Sequence, residues 1–291
     1  MAYIILFVLG SIIGSFINVI TLRYNLGDKI FSKKNIGGRS HCLYCNKQLV
    51  WYELLPIFSF LIQKGKCRNC HNKLFLQYPL IEILNGLIFV FIPFYLINFQ
   101  SIIQLSNYQL LIAVIWILIF ELFLLLSIID FRHYIIPDQI NLLLGILGLV
   151  LIFINNRLNN FDIITGSFIG HYAAIFGIRE NIFINHIFAS FLAMAFLGII
   201  IIASRGRGMG WGDFKLVGAL GLIFGWPDIL MIILLSFIIG AIFVFPLLIK
   251  RKKTMKDIIP FGPFLIIASA VVFFFGYKLT DFYFGLFNLT I

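Results

Sequence analysis

Two aspartates stand at the ends of apolar stretches of this chain, and each lies in a distinctive local frame. The frames are Asp130-Phe-Arg-His-Tyr-Ile-Ile-Pro137-Asp138 and Gly208-Met-Gly210-Trp-Gly212-Asp213-Phe-Lys215-Leu216. Carboxylates are scarce, with 12 Asp and Glu among 291 residues. An acid at the edge of a hydrocarbon layer is costly and is therefore a candidate for function. Two such acids could share a proton and activate a water molecule for peptide hydrolysis.

The composition says which elements must position these acids. The chain is 61% hydrophobic, which is typical of a polytopic membrane protein rather than a soluble domain. We therefore predict an all-α membrane helix bundle of about eight spans. Apolar runs fall at 2–22, 79–99, 109–129, 139–155, 184–204, 214–226, 228–249 and 261–281. The sixth run is short and Gly-rich, and the first reads as a retained span rather than a signal peptide.

The net charge of +10 fits membrane orientation better than nucleic-acid binding, because no base-stacking aromatic platform accompanies it. In an eight-span chain, 19 of the 22 Lys and Arg fall on one face: ten in 23–78, five in 250–256, and Arg132, Arg205, Arg207 and Lys215. The positive-inside rule makes that face cytoplasmic. The sequence thus predicts a plasma-membrane protein with Asp130 and Asp213 on the cytoplasmic side. A seven-span arrangement would separate the two acids.

Three parts follow along the chain. Residues 1–22 form the first span, 23–78 a small cytoplasmic domain, and 79–291 the remaining transmembrane bundle. The domain is too small to bury a large core unaided. It contains all 4 cysteines, as Cys42-x2-Cys45 and Cys67-x2-Cys70. Two such pairs predict a tetrahedral, structural Zn²⁺ site. Disulfides are the alternative, and a reducing cytoplasm disfavours them.

Several other polar residues have more than one interpretation. Ser11, Gly14, Ser15 and Asn18 share a helix face, which indicates close helix packing rather than catalysis. Glu121 lies deep in a span and needs a partner, and Glu82 lies nearer an interface. Asp138 follows Pro137 where a helix is predicted to start, so it is either a helix cap or a residue of the site. Lys215 is either an orienting charge or a site residue. Gly210 and Gly212 let a backbone approach the acid closely.

Five blocks of residues make the chain resemble the type IV prepilin peptidases, which are membrane aspartic proteases of the GxGD class. The blocks are Gly14-Ser-Phe-Ile-Asn18-Val with Arg23; the cysteine pairs through Tyr78-Pro79-x2-Glu82; Asp130-x6-Pro137-Asp138; Gly208-Met-Gly210-x-Gly212-Asp213-x-Lys215-Leu216; and Pro260-Phe-Gly-Pro263-Phe. They cover nearly the whole chain in the family's order. The chief departure is a long loop at 156–183, which we expect on the far face, away from the site.

The resemblance implies removal of a basic leader from prepilin or pseudopilin substrates, with cleavage after a glycine. It maps the catalytic pair to Asp130 and Asp213. It also implies a second activity in many four-cysteine members, N-methylation of the new N-terminus with S-adenosylmethionine. Alternatives are a GxGD protease for non-pilin or archaellin-type substrates, a zinc-dependent hydrolase and a proton-coupled transporter. A transporter would favour midplane acids and internal repeats, and four Cys ligands leave zinc no open position.

Overall fold

The computed structural model describes residues 1–99, 107–157, 167–176, 181–206, 208–249 and 259–286. Within these ranges the structure is helical, and β-type pairing is confined to two isolated bridges. The helices are α1 (Ala2–Arg23), α2 (Lys33–Ile36), α3 (Phe58–Ile62), α4 (Gln77–Phe99), α5 (Asn107–His133), α6 (Asp138–Arg157), α7 (Ile182–Ala203), α8 (Trp211–Phe224), α9 (Asp228–Ile249) and α10 (Gly262–Gly285). Two 3₁₀ turns span Trp51–Glu53 and Gly170–Phe176. The predicted all-α class is confirmed.

All eight predicted apolar runs are helices. Seven of them, α1, α4, α5, α6, α7, α9 and α10, are long and apolar enough to cross a membrane. Helix α8 has 14 residues, which is about 21 Å at a rise of 1.5 Å per residue. The hydrocarbon core of a bilayer is about 30 Å thick, so α8 is shorter than an ordinary span, as its Gly-rich sequence indicated.

The packing of α8 explains how a short helix is accommodated. Of its last nine residues, all but Leu222 are buried: Leu216, Val217, Gly218, Ala219, Leu220, Gly221, Ile223 and Phe224. A Cβ atom on Gly221 would lie 2.5 Å from Ser190 Cα of α7, so the two backbones touch. A helix that is apolar on all sides and enclosed by protein need not match the thickness of lipid.

The chain forms two compact units, Met1–Glu121 and Leu122–Ile291. In the first unit, α1 packs along α4, and a Cβ atom on Gly10 would lie 2.6 Å from Asn85 O. Asn18 Nδ2 donates a hydrogen bond to Tyr78 O at 3.2 Å. The small and polar face of the first span therefore serves close helix packing, as predicted. The deep Glu121 carboxylate accepts a hydrogen bond from Asn85 Nδ2 at 3.0 Å.

The second unit contains Asp130, Asp213 and the described part of the predicted loop 156–183. The described piece of that loop is held by Asp228 at the start of α9, whose Oδ1 accepts hydrogen bonds from Ser167 Oγ at 2.8 Å and Ile169 N at 3.2 Å. Asp228 follows the C-terminal end of α8, whereas Asp213 lies at the N-terminal end. The described loop residues therefore lie at the end of α8 opposite Asp213, as expected.

Candidate active site

Asp130 lies near the C-terminal end of α5 and is 3% exposed. The helix stops at His133, and Tyr134 adopts a left-handed backbone with φ of 56°. Tyr134 N donates to Asp130 O at 2.8 Å, which closes the last turn. The carboxyl group is thus held on a finished helix end just before the chain turns into the segment that leads to α6.

Asp213 is the third residue of α8 and is 8% exposed. Gly210, in extended conformation before the helix, donates its N–H to Asp213 Oδ2 at 3.2 Å. An acid here complements the free amides and the positive end of the helix dipole. The sequence Gly210-x-Gly212-Asp213 therefore places a carboxylate at a helix start with a fixed rotamer.

The two acids converge in one site. The Asp130 carboxyl group interacts electrostatically with Asp213 and with the backbone N–H of Gly262 at the start of α10. Ile136 packs between the two glycines: a Cβ on Gly212 would lie 3.0 Å from Ile136 Cβ, and one on Gly262 would lie 3.1 Å from Ile136 Cδ1. Three helix ends and the segment before α6 therefore meet around a pair of buried carboxyl groups.

Each acid keeps one oxygen atom without a protein partner. Asp130 Oδ2 and Asp213 Oδ1 are buried and receive no hydrogen bond from the part of the chain that the structure describes. Buried carboxyl oxygens are normally satisfied, and exceptions are common where a site binds substrate or water. These two atoms can therefore accept a hydrogen bond from a water molecule or a bound ligand.

Gly262 was not among the residues that the sequence singled out for the site. A Cβ at this position would lie 2.6 Å from Asp130 Oδ2, so any larger residue would require that carboxyl group to move. Its signal in the sequence was the block Pro260-Phe-Gly-Pro263-Phe, which gives a rigid helix start. The purpose of that block is visible only once α5 and α10 are packed together.

The supporting residues Asp138 and Lys215 form an ion pair at 2.7 Å between α6 and α8. Their side chains are 73% and 50% exposed, so the pair lies at the mouth rather than in the buried site. Pro137 immediately precedes α6. Asp138 therefore connects two helices, in addition to standing in the first turn of its own helix as predicted.

Asn141 is a further neighbour that the sequence analysis missed. It is 7% exposed, one turn after Asp138 on α6, and its Nδ2 donates to Gly212 O at 3.5 Å. Its Oδ1 is buried without a partner among the described residues. In the sequence, an amide three residues after a candidate acid is only weak evidence for a site residue. The packing of α6 against α8 is what brings Asn141 to Gly212, just before Asp213.

The cysteine segment contains two knuckles built alike. Cys42 N donates to Lys47 O at 3.0 Å, and Cys67 N donates to Asn72 O at 2.9 Å. In each knuckle the residue four positions after the first cysteine, Asn46 or His71, has a left-handed backbone. These turns point both pairs of thiols toward a common centre.

The four thiols form a cluster of metal-ligand geometry. All four cysteines are free, and their Sγ atoms lie within 4.8 Å of one another. The Sγ atoms of Cys42 and Cys70 are 3.8 Å apart, and the edge of a tetrahedron with 2.3 Å zinc–sulfur bonds is about 3.8 Å. Hydrogen bonding from the Lys47 backbone, then from Asn69, lowers the pKa of Cys45 to about 6. Despite a hydrogen bond from the Asn72 backbone, burial and then the neighbouring thiols raise the pKa of Cys70 to about 11. The distances between the sulfur atoms, rather than the ionisation of one thiol, therefore indicate the metal site.

An all-helical membrane protein that brings two buried aspartates together from separate helices has the design of a membrane aspartic peptidase. Comparison with known families agrees. Residues 8–96 match the bacterial peptidase A24 N-terminal domain, and residues 117–245 match the type IV leader peptidase family. No solved structure matches the chain.

Curated relatives extend over nearly the whole chain. A prepilin leader peptidase/N-methyltransferase of Xanthomonas campestris is 31% identical, with 94% of this chain and 92% of the relative covered. A relative with the same name from Vibrio cholerae is 30% identical, with 94% of this chain and 96% of the relative covered. Another from Bacillus subtilis is 28% identical, with 96% of each chain covered. The chain belongs to the prepilin leader peptidase/N-methyltransferase family, and it is an enzyme of the inner membrane with several spans.

Proposed function

We propose that this enzyme removes the leader from prepilin-like substrates by aspartic hydrolysis, with Asp130 and Asp213 as the catalytic pair. The single observation that carries the proposal is the meeting of these two buried acids from α5 and α8, each with one free oxygen. Asp228 is also fully buried, but it lies beyond the opposite end of α8 from Asp213, where its Oδ1 holds Ser167 and Ile169 of the preceding loop. It therefore suits a structural role.

The chemistry follows from the proximity of the two acids. Because two neighbouring carboxyl groups resist double ionisation, one is protonated while the other is a carboxylate. The carboxylate removes a proton from a water molecule as its oxygen attacks the scissile carbonyl carbon. The protonated acid donates to the carbonyl oxygen. Collapse of the tetrahedral intermediate breaks the C–N bond, and the new amine takes a proton from the pair.

The glycines around the pair set the shape of the site. Gly210 and Gly212 precede Asp213, and Gly262 adjoins Asp130. A substrate backbone can approach these acids only where neither chain presents a bulky side chain. This supports a small residue, such as glycine, just before the bond that is cut.

We place the site on the cytoplasmic side of the membrane. The proposal rests on the excess of Lys and Arg in 23–78 and 250–256 and on the positive-inside rule. It requires α8 to return the chain across the bundle despite its 14 residues. The substrate's own apolar helix would then lie in the membrane while its basic leader stays in the cytoplasm.

Co-expression with a prepilin-like substrate tests the proposal. Leader removal appears as a mobility shift on a gel and as a new N-terminus by sequencing. A substrate whose residue before the cut is changed from Gly to Val should insert but remain uncleaved, because the added side chain would keep the substrate backbone away from Asp130 and Asp213. Equal processing of both substrates would refute this picture of the site.

We propose a structural Zn²⁺ held by Cys42, Cys45, Cys67 and Cys70. The thiol separations fit tetrahedral coordination, and four sulfur ligands leave no open position for catalysis. The metal would supply folding energy that a small domain lacks. Elemental analysis should find one zinc per chain, and Cys42→Ser should lower that content. Material with intact cysteines and no metal would contradict the assignment.

N-methylation with S-adenosylmethionine is a further proposal that rests on the names of the relatives. The cofactor would supply a methyl group to the new N-terminal amine. A cavity of about 150 Å³ lies in the first unit beside Cys42, Cys67 and Glu82. Sites for drug-sized ligands are usually about 300–1,000 Å³. At this volume the cavity would enclose only part of such a cofactor.

A further inference from the structure

The segment between the two cysteine knuckles exposes an unusual amount of apolar surface. Residues 51–62, which we call the interknuckle segment, read Trp-Tyr-Glu-Leu-Leu-Pro-Ile-Phe-Ser-Phe-Leu-Ile. Trp51 is 75% exposed, Phe58 66%, Leu61 63% and Ile62 65%, and Tyr52, Leu54 and Leu55 are also exposed. A run of large exposed apolar side chains in so short a segment normally marks a surface that another apolar phase covers.

The backbone of the segment is fixed in a tight corner. Phe58 N donates to Pro56 O at 2.6 Å, which closes a γ-turn around Ile57 with φ of 63°. A β-branched residue in this region is strained and is found where its surroundings impose it. Here Ile57 N donates to Glu82 Oε2 at 2.7 Å. The corner is therefore pinned by a buried carboxylate of α4.

Glu82 ties the segment to the membrane-spanning part of the chain. It lies in the second turn of α4, which is long and apolar enough to cross a bilayer. Phe75 and Leu76, just before α4, are 49% and 73% exposed. The segment is thus continuous with the end of the α1–α4 pair where the chain leaves and re-enters the membrane.

The charge pattern around the segment matches a membrane surface. Lys64 and Lys66 follow it directly, and the Arg68 guanidinium lies 4.9 Å from the centre of the Tyr52 ring. Trp and Tyr prefer the headgroup level of a bilayer, and nearby Lys and Arg bind anionic headgroups. An apolar face with basic flanks is the pattern of segments that lie in the interface plane.

We propose that the interknuckle segment lies in the lipid interface and anchors the four-cysteine domain to the membrane surface. Its occupant is the lipid bilayer, on the leaflet where α1 ends and α4 begins. Glu82 holds the Pro56–Ile57 corner so that Trp51, Phe58, Leu61 and Ile62 face lipid. The domain is therefore a membrane-bound module rather than a free loop. This assignment does not depend on which substrate the enzyme cleaves.

Trp51 provides a direct test in the full-length protein. The chain contains 4 tryptophans, so the emission of Trp51 is obtained as the difference between wild type and Trp51→Phe. Both proteins are placed in nanodiscs of phosphatidylcholine and phosphatidylglycerol with a rising share of lipid brominated on the acyl chains. Trp51 emission should lose most of its intensity as brominated lipid increases and should resist acrylamide in water. Emission that acrylamide quenches and brominated lipid leaves unchanged would overturn the proposal.

Two variants sharpen the result. Replacing both Phe58 and Leu61 with Asn should weaken quenching by brominated lipid and raise quenching by acrylamide, while metal content stays at one zinc. Gln63→Asn exchanges one polar residue for another just after α3, so it should leave quenching by brominated lipid and by acrylamide unchanged. If brominated lipid and acrylamide quench Trp51 emission in the double variant as strongly as in wild type, the segment does not face lipid. A blue shift of Trp51 seen only after a prepilin helix is added would assign the surface to substrate and refute the lipid anchor.

Discussion

Replacing Gly262 with Ala probes the fit around the proposed catalytic pair without removing either acid. The added Cβ would lie 2.6 Å from Asp130 Oδ2 and 3.1 Å from Ile136 Cδ1. Ordinary contacts begin at 3.4 Å, so the carboxyl oxygen must retreat by roughly 0.8 Å, and its burial leaves little room for that movement. The backbone of Gly262 is not in the left-handed region, so Ala adds no backbone strain.

The expected effect is on the rate of cleavage. Misplacing a reacting group by about 1 Å costs on the order of 10²-fold in rate, so we expect Gly262→Ala to lower kcat by about 10- to 100-fold. The assay is the initial rate of leader removal from a prepilin in proteoliposomes at saturating substrate. KM should change less than kcat, because in the proposed mode of binding the substrate is held mainly by its apolar helix and not by the two acids.

The matched control is Gly145→Ala in α6, where an added Cβ has no neighbour within 4 Å. It should cleave at the wild-type rate and be equally or slightly more stable, since Ala favours helix. Wild-type kcat in a well-folded Gly262→Ala enzyme would show that the Asp130 carboxyl group does not need its present position. The proposed site would then be wrong in its geometry.

Two further predictions follow from the packing around α8. Gly221→Ala would bring a Cβ to 2.5 Å from the Ser190 backbone, so we expect it to destabilise the second unit by about 1–3 kcal/mol or more, measured as a lower midpoint of thermal unfolding in detergent with Gly145→Ala as reference. Lys215→Met removes the exposed ion pair with Asp138, and such pairs contribute about 0–1 kcal/mol to the free energy of unfolding. The midpoint of thermal unfolding should therefore barely move. A large loss of cleavage would instead assign Lys215 to substrate binding.

The sequence predicted the helical elements well because each carries a long apolar run. All eight predicted runs coincide with helices, and the ends differ by a few residues, as for 109–129 against Asn107–His133. The sixth run is the informative case. This run is short as well as Gly-rich, which set it apart from the seven full-length spans, but only the contact of Gly221 with the α7 backbone shows that α8 is enclosed by protein.

The candidate site was predicted in part. The scarcity of acids and their motif frames singled out Asp130 and Asp213, and the spacing of the four cysteines predicted their cluster. Gly262 and Asn141 could not be found this way, because their roles arise from α10 and α6 packing beside α5 and α8. The exposure of the apolar residues in 51–62 was also missed, since apolar residues in a small domain are normally assigned to its core.

The most direct test of the central claim is the cleavage rate of the single variants Asp130→Asn and Asp213→Asn, each reconstituted with a prepilin. Asn preserves size and loses the proton chemistry, so the cleavage rate of each variant should fall by at least about 10²- to 10⁴-fold while the protein stays folded and inserted. As a control, Asp28→Asn changes a partly exposed acid that is paired with Lys34 in the other unit, and this variant should cleave like wild type. Substantial turnover by either Asp130→Asn or Asp213→Asn would remove that residue from the catalytic pair and contradict the account.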